Sequence, residues 1–328
     1  MPSSANRFSR FAWFFVAYLV AVILFGAWVR IAGAGAGCGN HWPTCNGDII
    51  PQAPETKTII EFTHRITSGL CGLLVLILAV WARRVSRPVF YAALATLFFI
   101  LVESFIGAVL VKKELVAGDT SVSRAIVISL HLVNTMLLLA AASTVAWWSG
   151  GGPRAIPRLR VSRGLLAGVV VVLMLTSVTG AVTALGDTLF PKQPALDGSL
   201  IAGLRGDLSM GQHFLVRLRI LHPLVAVFAA MIVMAVALGL RRQLKRDAPE
   251  NRRLEILLKS WQHTVLFQLA LGVINIMLAA PGWMQILHLL TAQVLWLLVW
   301  VTLLDLWPIA SAPAADRAAI PLRPTRAG

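Results

Sequence analysis

Stretches of about 20 predominantly apolar residues recur along this chain, and a helix of that length crosses a hydrocarbon core. Eight are placed at roughly 12–31, 63–82, 89–111, 125–148, 164–185, 215–240, 262–280 and 284–305. None alternates polar with apolar positions, and backbone groups in lipid must bond within their own segment, so each is expected to be helical. Composition agrees: 58% of the 328 residues are hydrophobic, 13% are charged and the mean hydropathy is +0.78. The first run is longer than the apolar core of a secretory signal and no A-x-A site follows it cleanly, so it is read as a retained span.

The formal charge of +15 invites a nucleic-acid reading, but its distribution argues for topology. An even number of spans puts both termini on one side. That side receives Arg7, Arg10, RRVSR at 83–87, Arg154, Arg158, Arg160 and Arg163. It also receives RRQLKRD at 241–247, Arg252, Arg253, Lys259, Arg317, Arg323 and Arg326, so it holds most of the 29 Lys and Arg residues. This is the positive-inside bias: both termini are expected in the cytoplasm of a cell with the protein in its inner (plasma) membrane, in contact with lipid and with no nucleic acid.

The chain also repeats itself. His64 and His131 are 67 residues apart, and His222 and His288 are 66 apart. THRITSGLCGLLVLIL answers LRILHPLVAVFAAMIV, ISLHLVNTMLLLAAA answers QILHLLTAQVLWLLV, and ESFIGAVLV answers QLALGVINI. The expected fold is all-α integral membrane, with eight transmembrane helices as two pseudo-symmetric parallel four-helix bundles. The N-terminal half runs over 1–148, a cytoplasmic linker rich in Gly, Pro and Arg over 149–163, the C-terminal half over 164–305 and a cytoplasmic tail over 306–328. An offset of four spans keeps both halves in one orientation, unlike the inverted repeats of many transporters.

The second, fourth, sixth and eighth spans all enter from the outer side. Each of the four repeated histidines lies within about two turns of that entry, so all four share one depth. Neutral imidazole is a good ligand for iron, and a flat macrocycle fits between two helices that each offer one. A zinc site would want three or four converging ligands. Two histidines in each half therefore fit haem better, against the alternative of hydrogen bonds across helices.

His41, His213 and His263 do not repeat, and His41 or His213 could touch a ligand. Glu61 is three residues before His64, on the same helical face, and its counterpart in the second half is Arg219. One half thus has a carboxylate beside its histidine and the other does not, which suits one site for chemistry and one for a resident cofactor. Pairing of Glu61 with Arg65 or Arg124 is the structural alternative. Arg65, Arg217 and Arg219 are expected at the outer surface, as candidate contacts for haem propionates or lipid headgroups. Glu103 repeats as Gln268, which favours an interhelical hydrogen bond over catalysis. Cys38 and Cys45 bracket GNHWPT in the first outer loop, where either a disulfide or two free thiols would serve; Cys71 reads as a small core residue.

EFTHR at 61–65, SLHLVN at 129–134, ILHP at 220–223, ILHLLTAQ at 286–293, VRIAGAG at 29–35 and CGNHWPTCNG at 38–47 together resemble the haem A synthase family. The resemblance covers about 12–305. It implies an enzyme that oxidises the C8 methyl of haem O to a formyl group and supplies haem A to cytochrome oxidase. It places haem b in the C-terminal half on His222 and His288, and the substrate haem in the N-terminal half with His64 and His131. Glu61 then matches the functional glutamate, and Cys38 and Cys45 the first-loop pair. The long loop at 186–214 departs from some members in having no cysteines. Implied partners are haem O synthase, cytochrome oxidase assembly factors and a possible second copy of the chain. The competing readings are a bis-histidine two-haem cytochrome for electron transfer and a haem transporter.

Overall fold

The computed structural model describes residues 4–151, 162–192 and 206–306. Eight long helices are found there: α1 (Ser4–Ile31), α2 (Thr56–Ala82), α3 (Arg87–Lys112), α4 (Val122–Ser149), α5 (Arg163–Leu189), α6 (Leu221–Asp247), α7 (Arg252–Met277) and α8 (Gly282–Leu306). A helical turn, Phe214–Arg217, and a 3-10 turn, Leu218–Ile220, lead straight into α6. Among the described residues the only strand-like pairing is an isolated bridge between Cys45 and Asp48. Most of the expected 149–163 linker and the 306–328 tail, with Arg154, Arg158, Arg160, Arg317, Arg323 and Arg326, lie outside the described residues.

Local chemistry sets the helix starts. Ser86, Ser121, Ser162 and Asn251 each accept a hydrogen bond from the backbone N–H three residues on, filling an orphan donor of the first turn. Asn251 explains why α7 begins at Arg252, well before the apolar run near 262: a capped polar segment continues into it. Seven helical segments are long and apolar enough to cross a membrane. The seventh helix is not among them, because Gln262, His263, Gln268 and Asn275 dilute its apolar run. Large side chains such as Phe98, Leu101, Phe105, Leu224 and Phe228 point outward, a surface that a water-soluble protein would bury. The chain is a multi-pass membrane protein.

Helices α1 to α4 pack in a closed ring, α1 on α2, α2 on α3, α3 on α4 and α4 on α1. Helices α5 to α8 pack in the same order, with a lighter contact between α5 and α8. The two groups meet through α1, α4, α5 and α8. Helix α4 is the most enclosed, and Ala140, Ala142 and Ala146 let its neighbours approach closely. One core joins Phe8, Phe15, Leu19, Val75, Leu78 and Leu138; the other joins Val233, Leu240, Leu254, Leu258, Trp261 and Val299. Trp296 of α8 sits in the first core and donates to the Met136 carbonyl at 2.9 Å, so the halves share packing as well as contact.

Candidate functional site

The clearest geometry is in the C-terminal group. His222, in the first turn of α6, and His288, in the second turn of α8, come together as an edge-on pair with ring centroids 6.4 Å apart and planes at 87°. First-row metals bind imidazole nitrogen at about 2 Å, so two rings on opposite sides of one ion have centres roughly 6 Å apart. The observed spacing meets that requirement. The Nδ1 of His222 lies 3.1 Å from the Thr179 hydroxyl of α5, whose own proton goes to the Thr176 carbonyl; that assigns Nδ1–H as the donor and leaves the lone pair on Nε2. The Nδ1 of His288 is buried without a partner. The Gln268 side-chain nitrogen stands 3.2 Å from His288 Nε2 and 3.2 Å from its carbonyl oxygen. Ligation through that Nε2 would displace the first contact and leave the second.

Small residues make the room. A Cβ on Gly180 of α5 would lie 3.0 Å from His222 Cε1, and one on Gly272 of α7 would lie 3.4 Å from His288 Cε1. In the N-terminal group a Cβ on Gly26 of α1 would lie 3.1 Å from His64 Cε1. The rings of His222 and His64 rest against bare backbone where a Cβ would crowd them, whereas one on Gly272 would meet His288 at ordinary contact distance. Sequence reasoning singled out the histidines and missed these glycines; the available signal was that Gly26 and Gly180 precede their histidines on the first helix of each repeat.

His64 also meets Phe25 edge to face, with centroids 5.7 Å apart, and its Nδ1 is buried without a partner. His131 Nδ1 is likewise unpartnered and lies 3.4 Å from Glu103 Oε1, outside hydrogen-bond geometry. The Glu103 carboxylate is held by Asn134 Nδ2 and the Thr135 hydroxyl, both on α4, so the expected interhelical bond is present and has an additional neighbour in His131. Orphaned imidazole nitrogens in an apolar bundle are costly unless something binds them.

Glu61 is buried on α2. Its Oε2 accepts from the Cys38 backbone N–H at 2.8 Å, and its Oε1 accepts from Arg65. Arg65 also donates to the carbonyls of His41 and Thr44, at 2.7 and 2.6 Å. Cys38 and Cys45 form a disulfide within this same loop. Carboxylate, guanidinium and disulfide thus clamp the loop between α1 and α2 onto the turn of α2 that carries His64. Of the two partners open to Glu61 in the sequence, Arg65 takes the place; Arg124 turns instead to the carbonyls of Ala117 and Asp119.

The three arginines expected at the outer surface divide. Arg65 is enclosed by the loop. Arg219 is buried, paired with Asp187 at 2.9 Å and donating to the carbonyls of Gly186 and Phe190. Both use their donors inside the protein, because a guanidinium among apolar helices must find acceptors there. Arg217 alone remains half exposed, with no ion pair among the described residues. His213 caps the turn before α6 through Leu215 N–H and stacks on Phe190, a structural post. His41 is exposed in the cysteine loop and His263 is exposed well inside α7.

An all-helical membrane protein with a histidine on the second and fourth long helix of each group, one such pair in close approach, defines the class. Within it, the model of the COX15-CtaA family, described as cytochrome oxidase assembly protein, matches residues 9–300, and the chain belongs to that family. It is 48% identical over 301 residues to a protein of Thermus thermophilus named protoheme IX farnesyltransferase, covering 89% of this chain and 47% of that one. The chain spans about half the length of this relative. Shorter matches join it to proteins named heme A synthase: 44% identity over 93 residues in Halalkalibacterium halodurans, covering 27% of this chain and 31% of that one. In Geobacillus kaustophilus the identity is 42% over 103 residues, covering 29% and 32%.

Proposed function

We propose that this protein is a haem A synthase: an oxidoreductase that converts the C8 methyl of haem O to a formyl group for cytochrome oxidase. The observation that supports the reading is the proximity of His222 and His288, whose ring centroids lie 6.4 Å apart, a spacing that would accommodate a metal ion between the two imidazoles. That pair would hold haem b as the resident cofactor. His64 and His131 would hold the substrate haem, on the side of the protein that also carries the buried carboxylate of Glu61. Haem b in the C-terminal group supplies one-electron redox chemistry.

Methyl to formyl removes four electrons and four protons while one oxygen enters from water, with electrons leaving in single steps to an acceptor outside the chain. Glu61 sits one turn from His64, on the same helical face, with its negative charge fixed by Cys38 N–H and Arg65. It would stabilise positive charge at the reacting carbon or take up a proton as water adds. The cysteine loop clamped by Arg65 would cover the substrate edge and limit water there. The reading puts the enzyme in the plasma membrane with both termini in the cytoplasm.

The name of the Thermus relative offers a second reading, prenyl transfer to protohaem. A prenyl diphosphate calls for carboxylates that hold magnesium. Among the described residues no three His, Cys, Asp or Glu side chains gather in that way, whereas two histidines come within 6.4 Å of each other between their ring centroids. Farnesylation would instead generate the substrate proposed here. The test is extraction and chromatography of haems from cells that make haem O, with and without this protein. New haem A at the expense of haem O supports the reading. Unchanged haem O, beside two tightly held haems in the purified protein, would make it an electron-transfer cytochrome.

A further inference from the structure

Glu103 and Gln268 occupy matched positions on the third helix of each group, one turn before Gly107 and Gly272, and each contacts the histidine of the following helix. The contacts differ. Gln268 reaches Nε2 of His288, whereas Glu103 lies 3.4 Å from Nδ1 of His131. Glu103 is also supported as Gln268 is not. Asn134 Nδ2 donates to one of its oxygens, and the Thr135 hydroxyl, whose proton is shared with the His131 carbonyl at 2.8 Å, donates to the other. The matching residues in the second half are Thr291 and Ala292, and Thr291 turns back to the Leu287 carbonyl. A carboxylate inside a membrane protein is costly, and the second half shows that an amide suffices to tie these helices together. The charge at position 103 therefore serves something other than helix packing.

We propose that Glu103 is a positioning and tuning residue for His131: 3.4 Å from Nδ1 and short of hydrogen-bond geometry in this structure, it closes on the ring to accept the Nδ1–H when the imidazole binds iron, fixes Nε2 as the ligating atom, and makes this imidazole a stronger electron donor than its counterpart His288. The inference rests on the reading of His131 as an iron ligand. A metal-bound histidine whose other nitrogen donates to a carboxylate is more basic, and an electron-rich axial ligand favours ferric iron. The iron of the substrate half would then be held at the lower potential of the two. That difference gives the two halves distinct electronic roles and leaves electrons removed from the substrate haem with a downhill path to the resident one. The remaining capacity of the carboxylate matters: each oxygen uses one acceptor site on Asn134 or Thr135 and keeps another for His131.

The experiment loads the full-length protein with haemin in detergent and follows both haems by spectroelectrochemical titration, with low-spin ferric EPR as a second readout. Single replacements of His64 and His222 assign the two potentials. In Glu103→Gln the potential of the N-terminal haem is expected to rise, with the ferric-to-ferrous equilibrium shifting at least tenfold, or about 59 mV for a one-electron couple, while the C-terminal haem stays unmoved. Thr135→Val removes a competing donor from the carboxylate and is expected to move the same potential downward. Opposite signs from neighbouring residues separate tuning from general loosening, which would move both the same way. If Glu103→Gln folds poorly, the downward shift in Thr135→Val decides by itself. Two haems bound with neither potential altered, or both altered alike, would overturn the role of Glu103 and leave the haem sites standing. A wild-type protein whose haem content is indifferent to His64 and His131 would remove the haem site on which the inference rests.

Discussion

Gly180→Ala perturbs one methyl group and asks whether His222 has room to spare. The added Cβ would lie 3.0 Å from Cε1 of the imidazole and 3.4 Å from each of its nitrogens. Carbon atoms pack best at about 3.5–4.0 Å, so the ring must retreat by several tenths of an ångström. It retreats away from α5, and its Nδ1 bond to the Thr179 hydroxyl, one residue before, lengthens. Overpacking of this kind costs about 1–3 kcal/mol. Alanine in a helix interior is better than glycine by roughly 0.5–1 kcal/mol, so the helix itself should not weaken. The cost falls on the ligand, and about 1–3 kcal/mol corresponds to roughly 5- to 150-fold weaker haem binding. The assay is haemin titration of purified protein, read by the low-spin Soret band and by pyridine haemochrome content. Gly107→Ala is the control, since a Cβ there meets nothing within 4 Å. Gly272→Ala, at 3.4 Å from His288, should be milder than Gly180→Ala. Equal haem retention in all three variants would refute the reasoning that these glycines shape the site.

Two further substitutions test other parts of the arrangement. Glu61→Gln keeps the shape of the side chain and removes its charge; haem content should be retained while conversion of haem O falls at least about a hundredfold, as chromatography of products will show, and full-rate conversion would remove Glu61 from the chemistry. Arg30→Met should loosen the two groups of helices, because Arg30 of α1 donates to the Ala184 carbonyl and Thr188 hydroxyl of α5 and to Gln285 of α8. Detergent-solubilised protein is expected to lose about 1–3 kcal/mol of stability in thermal or denaturant unfolding, and an unchanged midpoint would contradict the clasp.

Much of this architecture was legible because a membrane leaves few options. Apolar length gave the helices, and the polar face of α7 is the one place where length and hydropathy disagree. The spacing of His64, His131, His222 and His288 pointed to two equivalent pairs, and the structure brings His222 and His288 together directly. Arg65 is one of the two partners the sequence offers Glu61, and their four-residue separation is one a helix converts into contact. Burial was less visible. Arg219 looked like a surface residue because it stands next to a loop, yet Asp187 and two carbonyls draw it inward. Gly26, Gly180 and Gly272 escaped notice because glycine in an apolar helix carries no signal until the ring opposite it is known. Arg30 reads as an interruption of an apolar run; its partners lie more than 150 positions away and only folding reveals them.

Haem counting in paired variants reaches the centre of the question. Full-length protein is purified from cells supplied with haem precursor, and iron-porphyrin per chain is measured beside the low-spin spectrum for wild type, His64→Ala/His131→Ala and His222→Ala/His288→Ala. The expected result is loss of the resident haem b in the C-terminal pair variant, and loss of exchangeable substrate haem in the N-terminal pair variant. Retention of wild-type haem content and a low-spin spectrum in both would contradict ligation by these histidines.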